Sequence, residues 1–207
     1  MDRPLTTRVH IRPYEGSDLD QLYEICLRTG AAGEDATHLV VEPRLFGELY
    51  AAPYGLLEPE HALVVDDGSG RAIAYVLGAL DTRAFDVRCD AEWWPGLRER
   101  HPVGSGGNDL DELLISMLHH RHAPDDAVLT EYPSHLHIDL LPEAQGLGWG
   151  RRLMTAMEDR LASDGSPGVH LGVSDQNQRA LGFYLHLGYE ELDTGRFSHT
   201  LGRRLAA

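Results

Sequence analysis

The sequence predicts an α/β fold, and three stretches carry that expectation. An apolar run, Leu136 to Leu141, is closed by Pro142 and passes into Gln145-Gly146-Leu147-Gly148-Trp149-Gly150-Arg151, after which Arg152 to Leu161 is amphipathic. A short apolar run, a glycine turn and then a 3.6-residue period read as strand, turn and helix. Val169-His170-Leu171-Gly172-Val173 repeats the arrangement as a buried strand. Ser174 to Asn177 make its turn, and Ala180, Leu181, Phe183, Tyr184 and Leu187 recur at helical spacing until Gly188. His61 to Val65 and Ala72 to Leu80 flank Asp66-Asp67-Gly68-Ser69-Gly70, the pattern of a β-hairpin.

The remaining elements follow in order. Ile11-Arg12-Pro13 reads as a first strand. Asp18 and the helical pattern Leu19, Leu22, Tyr23, Ile25 and Cys26 read as a first helix, with Cys26 on its apolar face. Residues 85–133 read as a helical insertion: a short helix around Asp90 to Leu97, a flexible loop from Pro102 to Asn108, and a helix from Asp109 to His120. Leu110, Leu113, Leu114, Met117 and Leu118 form the apolar face of that last helix. Asp109, Asp111 and Glu112 at its start repel a phosphate from the glycines of the preceding loop. The insertion either covers one side of a substrate site or serves as structural decoration or a homodimer contact.

Composition bounds the function. The 207 residues suit one domain spanning 1–207, and 42% hydrophobic residues suffice for a core. With 33 acidic against 18 basic residues the formal net charge is −15. That argues against a nucleic-acid partner, which needs a basic footprint. It suits a cationic substrate through steering, or solubility alone. The sequence has no apolar run of about 18 residues, so no membrane partner is expected. Met1-Asp2-Arg3-Pro4-Leu5 lacks the apolar core of a signal peptide. Cys26 and Cys89 are too few for a disulfide scaffold, and a cytoplasmic protein is expected. His119-His120-Arg121-His122 and His101 lack the spacing of a zinc site, so no metal is expected. They fit a helix C-terminus, where cations are favoured.

The glycine turn points to chemistry. Glycines admit close approach of the backbone, and the unpaired N–H groups of a helix N-terminus favour an anion. The chain has no G-x-x-x-x-G-K-[ST], and the spacing does not match a dinucleotide fingerprint. Taken alone, the turn serves a ligand or a plain helix cap equally well. Upstream, His135, His137 and Asp139 alternate with Leu136, Ile138 and Leu140, so they share one face of a strand as a proton path or as a polar wall. Asp139 binds an ammonium group, orients a histidine, or pairs with Arg151 or Arg152.

Two motifs in sequence carry a family resemblance. Q-x-x-G-x-G, at Gln145, Gly148 and Gly150, resembles motif A of the GNAT acetyltransferases. Asn177, Ala180, Phe183, Tyr184, Leu187, Gly188 and Tyr189 resemble motif B. The likeness covers about residues 9–84 and 134–204. It extends to bacterial GNATs similar to the C-terminal acetyltransferase-like domain of O-GlcNAcase. The resemblance implies an α/β (α+β) GNAT fold: a twisted mixed β-sheet flanked by helices and splayed where the cofactor enters. It implies acetyl-CoA as acyl donor and an amine-bearing acceptor. It also implies that Leu140, Leu141, the turn Gln145, Gly146, Leu147, Gly148, Trp149, Gly150 and Arg151, and Asn177, Phe183 and Tyr184 hold the cofactor. Tyr184 corresponds to the tyrosine whose hydroxyl serves the leaving sulfur; otherwise Phe183 and Tyr184 are a core aromatic pair. His135-Leu136-His137 is similar to the His-Leu-His of arylalkylamine N-acetyltransferases, where two imidazoles relay protons, although here the turn follows one residue sooner. A pseudo-acetyltransferase or an acyl-CoA-binding module without turnover is the alternative.

Overall fold

The computed structural model describes residues 8–121, 125–195 and 197–206. The N-terminal pentapeptide and His122 lie outside the described residues. The chain runs β1 (His10–Pro13), α1 (Leu19–Leu27), α2 (Leu45–Tyr50), α3 (Ala52–Leu57), β2 (Ala62–Asp66) and β3 (Ala72–Ala79). It continues with α4 (Thr82–Glu92), α5 (Trp94–Arg100), α6 (Asp109–His119), α7 (Asp126–Glu131), β4 (Ser134–Leu140) and α8 (Trp149–Ser163). The last elements are β5 (Gly168–Ser174), α9 (Gln178–His186), β6 (Glu190–Thr194) and β7 (Ser198–Arg204).

The strands form one sheet in the order β1-β2-β3-β4-β5-β7-β6. Neighbours are antiparallel except β4 and β5, so the sheet is mixed. Strand alternation sends Tyr75, Leu77, His137 and Asp139 to one face and Gly78, Leu136 and Ile138 to the other. α8 packs on the second face, where Met157 occupies the space a Cβ on Gly78 would need: its Sδ would lie 2.8 Å away. α1 and α3 pack on the first. Arg12 ties β1 to this frame by a paired contact with the buried Asp18 (2.6 and 2.8 Å) and by Asp66 at 2.8 Å. No helix is long and apolar enough to cross a membrane among the described residues.

The insertion differs from the sequence expectation at its start. α4 begins at Thr82, capped by Asp81, whose side chain accepts from the Ala84 N–H at 2.9 Å, and α5 follows after Trp93. Only Thr82, Phe85 and Cys89 of α4 are buried, so the sequence shows no clear apolar stripe there. Asn108 caps α6, and Asp111 and Glu112 accept the N–H groups of Gly104, Gly106 and Gly107. Those donors are therefore satisfied internally. α6 ends at His119, whose ring contacts the His101 carbonyl at 2.9 Å.

One buried histidine ties α3 to α8. His61 places Nδ1 3.1 Å from Glu58 and Nε2 2.9 Å from Asp164. Two carboxylates on two ring nitrogens favour the doubly protonated ring. The hydrogen bond to Glu58 accordingly raises the His61 pKa, against burial and with help from Asp164. A folded-state pKa above the unfolded value of about 6.5 gives stability that is full below that value and lost as pH rises through the folded pKa. The melting temperature should fall as pH rises from about 6 toward 8, and His61→Gln should flatten that slope. An unchanged slope in the variant would assign the dependence elsewhere.

Candidate active site

β4 and β5 run parallel but pair only through Ser134 with Val169 and His135 with His170. Past those pairs the strands part, each held along its other edge by β3 or β7. A cavity of about 820 Å³ opens where they part. Its walls are the glycine turn, Asp139 and Leu140 of β4, Phe183 and Tyr184 of α9, and the Thr29–Glu34 loop after α1.

The glycine turn presents bare backbone donors. Gly146 (φ 71°) and Gly148 (φ 80°) are left-handed, a conformation that favours glycine, and Gly148 is the residue before α8. The N–H groups of Gly146 to Arg151 have no acceptor among the described residues. Six donors at a helix N-terminus, with its partial positive charge, suit an anion. Gly150 serves by lacking a side chain: a Cβ there would meet the Phe183 ring at 3.2 Å and Leu140 at 3.9 Å. Gln145 acts as a clamp across the parting strands. Its Nε2 donates to the Leu140 carbonyl at 2.8 Å, and its Oε1 accepts from Arg179 at 2.5 Å. Asn177 accepts the Ala180 N–H at 3.0 Å and caps α9. Three side chains expected at the cofactor point elsewhere. Leu141 is fully buried in the core, Leu147 is 64% exposed, and Trp149 packs on the core under the Arg152 guanidinium at 4.8 Å. The N–H groups of Leu147 and Trp149 belong to the unpaired row, whereas the Leu141 N–H donates to Ile73 and its carbonyl accepts from Ala144.

The polar face of β4 divides in two. His137 Nε2 lies 2.9 Å from Asp139 Oδ2, and its ring stacks between Tyr50 and Tyr75, each 5.9 Å away. Tyr75, paired in register with Asp139, donates its hydroxyl to the same Oδ2 at 2.5 Å. Of the alternatives the sequence left for Asp139, the contact with a histidine is the one formed, and no ion pair with Arg151 or Arg152 is present among the described residues. Asp139 lines the cavity, whereas His135 and His137 stand behind it.

His135 is locked in a neutral form. The Thr82 hydroxyl spends its hydrogen on the Pro133 carbonyl at 2.7 Å, so His135 Nδ1–H must donate to Thr82 at 2.8 Å. Nε2 then accepts from the Tyr54 hydroxyl at 2.7 Å. Burial among Tyr54, Phe85 and His170 pushes the His135 pKa down to about 3. Near neutral pH this ring is a weak base with both nitrogens engaged. The His135 and His137 pair foreseen from the strand pattern is therefore split between a caged ring and one bonded to the cavity carboxylate.

Tyr184 is buried, stands between Phe183 and Tyr189 at 5.4 and 5.8 Å, and still lines the cavity. Burial first, and the Asp139 charge second, hold its phenol above the ordinary value. It stays protonated at working pH and can donate. Sequence reasoning missed Tyr50, Tyr75, Cys26 as a site neighbour, and the Thr29–Glu34 loop. The period-2 register that pairs Tyr75 with Asp139 is the one signal that could have found any of them.

Cys26, His137 and Asp139 bring one ligand atom each within 4.8 Å of one another. Asp139 Oδ2 lies 2.5 Å from the Tyr75 hydroxyl and 2.9 Å from His137 Nε2. Asp139 thereby joins Tyr75 and His137 in one hydrogen-bonded cluster beside Cys26.

Comparison with known proteins agrees with the motifs. The acetyltransferase (GNAT) family matches residues 21–189. The crystal structure of SsHAT superposes with a TM-score of 0.88 at 38% identity, covering 97% of this chain and 100% of that one. A GNAT superfamily phosphinothricin acetyltransferase (Pat) from Sinorhizobium meliloti, solved in complex with AcCoA, shares the fold with a TM-score of 0.58 at 15% identity, over 96% of this chain and 89% of that one. Protein O-GlcNAcase of Rattus norvegicus is 25% identical over 191 residues, 90% of this chain and 21% of that protein. The chain spans about a fifth of the length of the curated relatives it matches.

Proposed function

We propose, starting from the family to which this chain belongs, the acetyltransferase (GNAT) family, that its cleft transfers the acetyl group of acetyl-CoA to a primary amine. The observation that carries this reading is the row of unpaired N–H groups from Gly146 to Arg151, set across one cavity from Tyr184 and Asp139. The amides and Arg151 hold the pyrophosphate. Phe183 and Leu140, with Gly150 between them, wall the extended arm. The parting of β4 and β5 leads its thioester toward Tyr184. Asn177 shapes this wall by capping α9.

The reaction joins the amine nitrogen to the acetyl carbon and breaks the carbon–sulfur bond. The amine must first lose a proton, and the thiolate must gain one. Asp139 receives the ammonium group and, with His137 behind it, carries the proton away. Tyr184 donates to the leaving sulfur. His135 supports the strand through Tyr54 and Thr82.

A pH–rate profile of kcat/KM tests the division of labour. A general base must be unprotonated, so the wild-type profile should rise with pH. His137→Ala should displace or flatten that rise. His135→Ala should leave its position unchanged, because a ring with a pKa of about 3 does not titrate in the assay range. A displaced limb in His135→Ala with a normal one in His137→Ala would reverse the assignment.

A further inference from the structure

The loop after α1 carries a strain that the cofactor site does not explain. Ala32 has φ 53°, the one non-glycine residue in the left-handed region among the described residues, and Gly33 follows at φ 93°. Left-handed residues with a Cβ persist where their surroundings over-determine them, and they cluster at ligand sites. The surroundings here are specific. Ala31 and Glu34 exchange backbone hydrogen bonds at 3.0 Å each, and the Gly33 N–H donates to Thr29 at 2.9 Å. Gly33 lies against Asn177, the cap of α9, so closely that a Cβ would come within 3.3 Å of its amide nitrogen. The turn is thereby braced on the far wall of the cavity it lines.

Glu34 is the one charged side chain from Thr29 to Glu34. It is exposed, lines the cavity, and forms no ion pair among the described residues. The charged groups of the cavity are segregated. The cations Arg151 and Arg179 belong to the glycine-turn wall, Arg179 through its bond to Gln145. The acids Glu34 and Asp139 come from the loop and from β4. An acceptor bearing a carboxylate would meet two like charges, one from the loop and one from β4. An acceptor bearing two ammonium groups would satisfy both acids, and a chain of net charge −15 would concentrate it.

We infer that the acceptor is a cationic amine with a second positive group, and that Glu34 is the residue that selects it; this rests on the acetyl-transfer reading above. The acetylated nitrogen lies at Asp139 and the second cation at Glu34, held by the strained turn.

The test is acetyl transfer by the full chain to three acceptors of one length: butane diamine, n-butylamine, and the straight-chain amino acid with a terminal amine. The expected order of kcat/KM is diamine, then monoamine, then amino acid, the first two about tenfold apart as befits a charged hydrogen bond in a half-open site. Glu34→Gln should collapse the ratio of diamine to monoamine toward one. Glu34→Lys should favour the amino acid over the diamine. Equal rates for diamine and monoamine in the wild type, or a ratio that survives Glu34→Gln, would overturn this inference and leave acetyl transfer standing. Transfer to none of the three, with acetyl-CoA bound, would overturn both.

Discussion

Tyr184→Phe should keep acetyl-CoA affinity and lose roughly 10²-fold in kcat, the lower end of what a positioned acid or base contributes. The hydroxyl lies in the cavity wall, and burial together with Asp139 keeps it protonated, so its proton is available when the sulfur leaves. A donor used in the transition state lowers kcat and kcat/KM together when removed, with little change in ground-state binding. Phenylalanine retains the ring contacts with Phe183 and Tyr189 at 5.4 and 5.8 Å, so the packing of α9 is kept. A variant with normal kcat would make Tyr184 a packing residue and return the leaving-group proton to solvent.

Gly150→Val should weaken acetyl-CoA binding by about 10²-fold, the upper range of an overpacking penalty expressed as affinity. Its first added carbon would already sit 3.2 Å from Phe183 and 3.9 Å from Leu140, two residues of the cavity wall. Gly150 has helical backbone, so its substitution tests space. Gly148, at φ 80°, has open space around it, and valine there would add backbone strain of about 1–2 kcal/mol or more to any blocking effect. Gly150 is therefore the cleaner position. Calorimetry that finds acetyl-CoA bound as tightly by folded Gly150→Val as by wild type would move the ligand out of this groove.

The stretches with strong periodicity were legible in the sequence. β4, α8, β5 and α9 follow the apolar runs around Gln145–Arg151 and Ser174–Asn177, because strand alternation and helical period are local. α2 and α3 were not, since six residues each hold too few turns to show a stripe. Their loss hid Tyr50 and Tyr54, the residues that distinguish His137 from His135. The strand pattern placed both histidines and Asp139 on one face, as found, but a shared face does not say which ring is caged. That depends on Thr82 and Tyr54, 53 and 81 residues away. The role of Gln145 was hidden in the same way. The motif marks a glutamine beside a phosphate site, while its partners Leu140 and Arg179 come from the two walls that it bridges.

Release of CoA thiol when the protein, acetyl-CoA and an amine are mixed tests acetyl transfer most directly, with the acetylated amine counted by mass spectrometry in the same samples. The prediction is amine-dependent thiol release, one thiol for each N-acetylated product. Acetyl-CoA that binds at the glycine turn yet yields no thiol and no product with butane diamine or n-butylamine would contradict it and leave a cofactor-binding module without turnover.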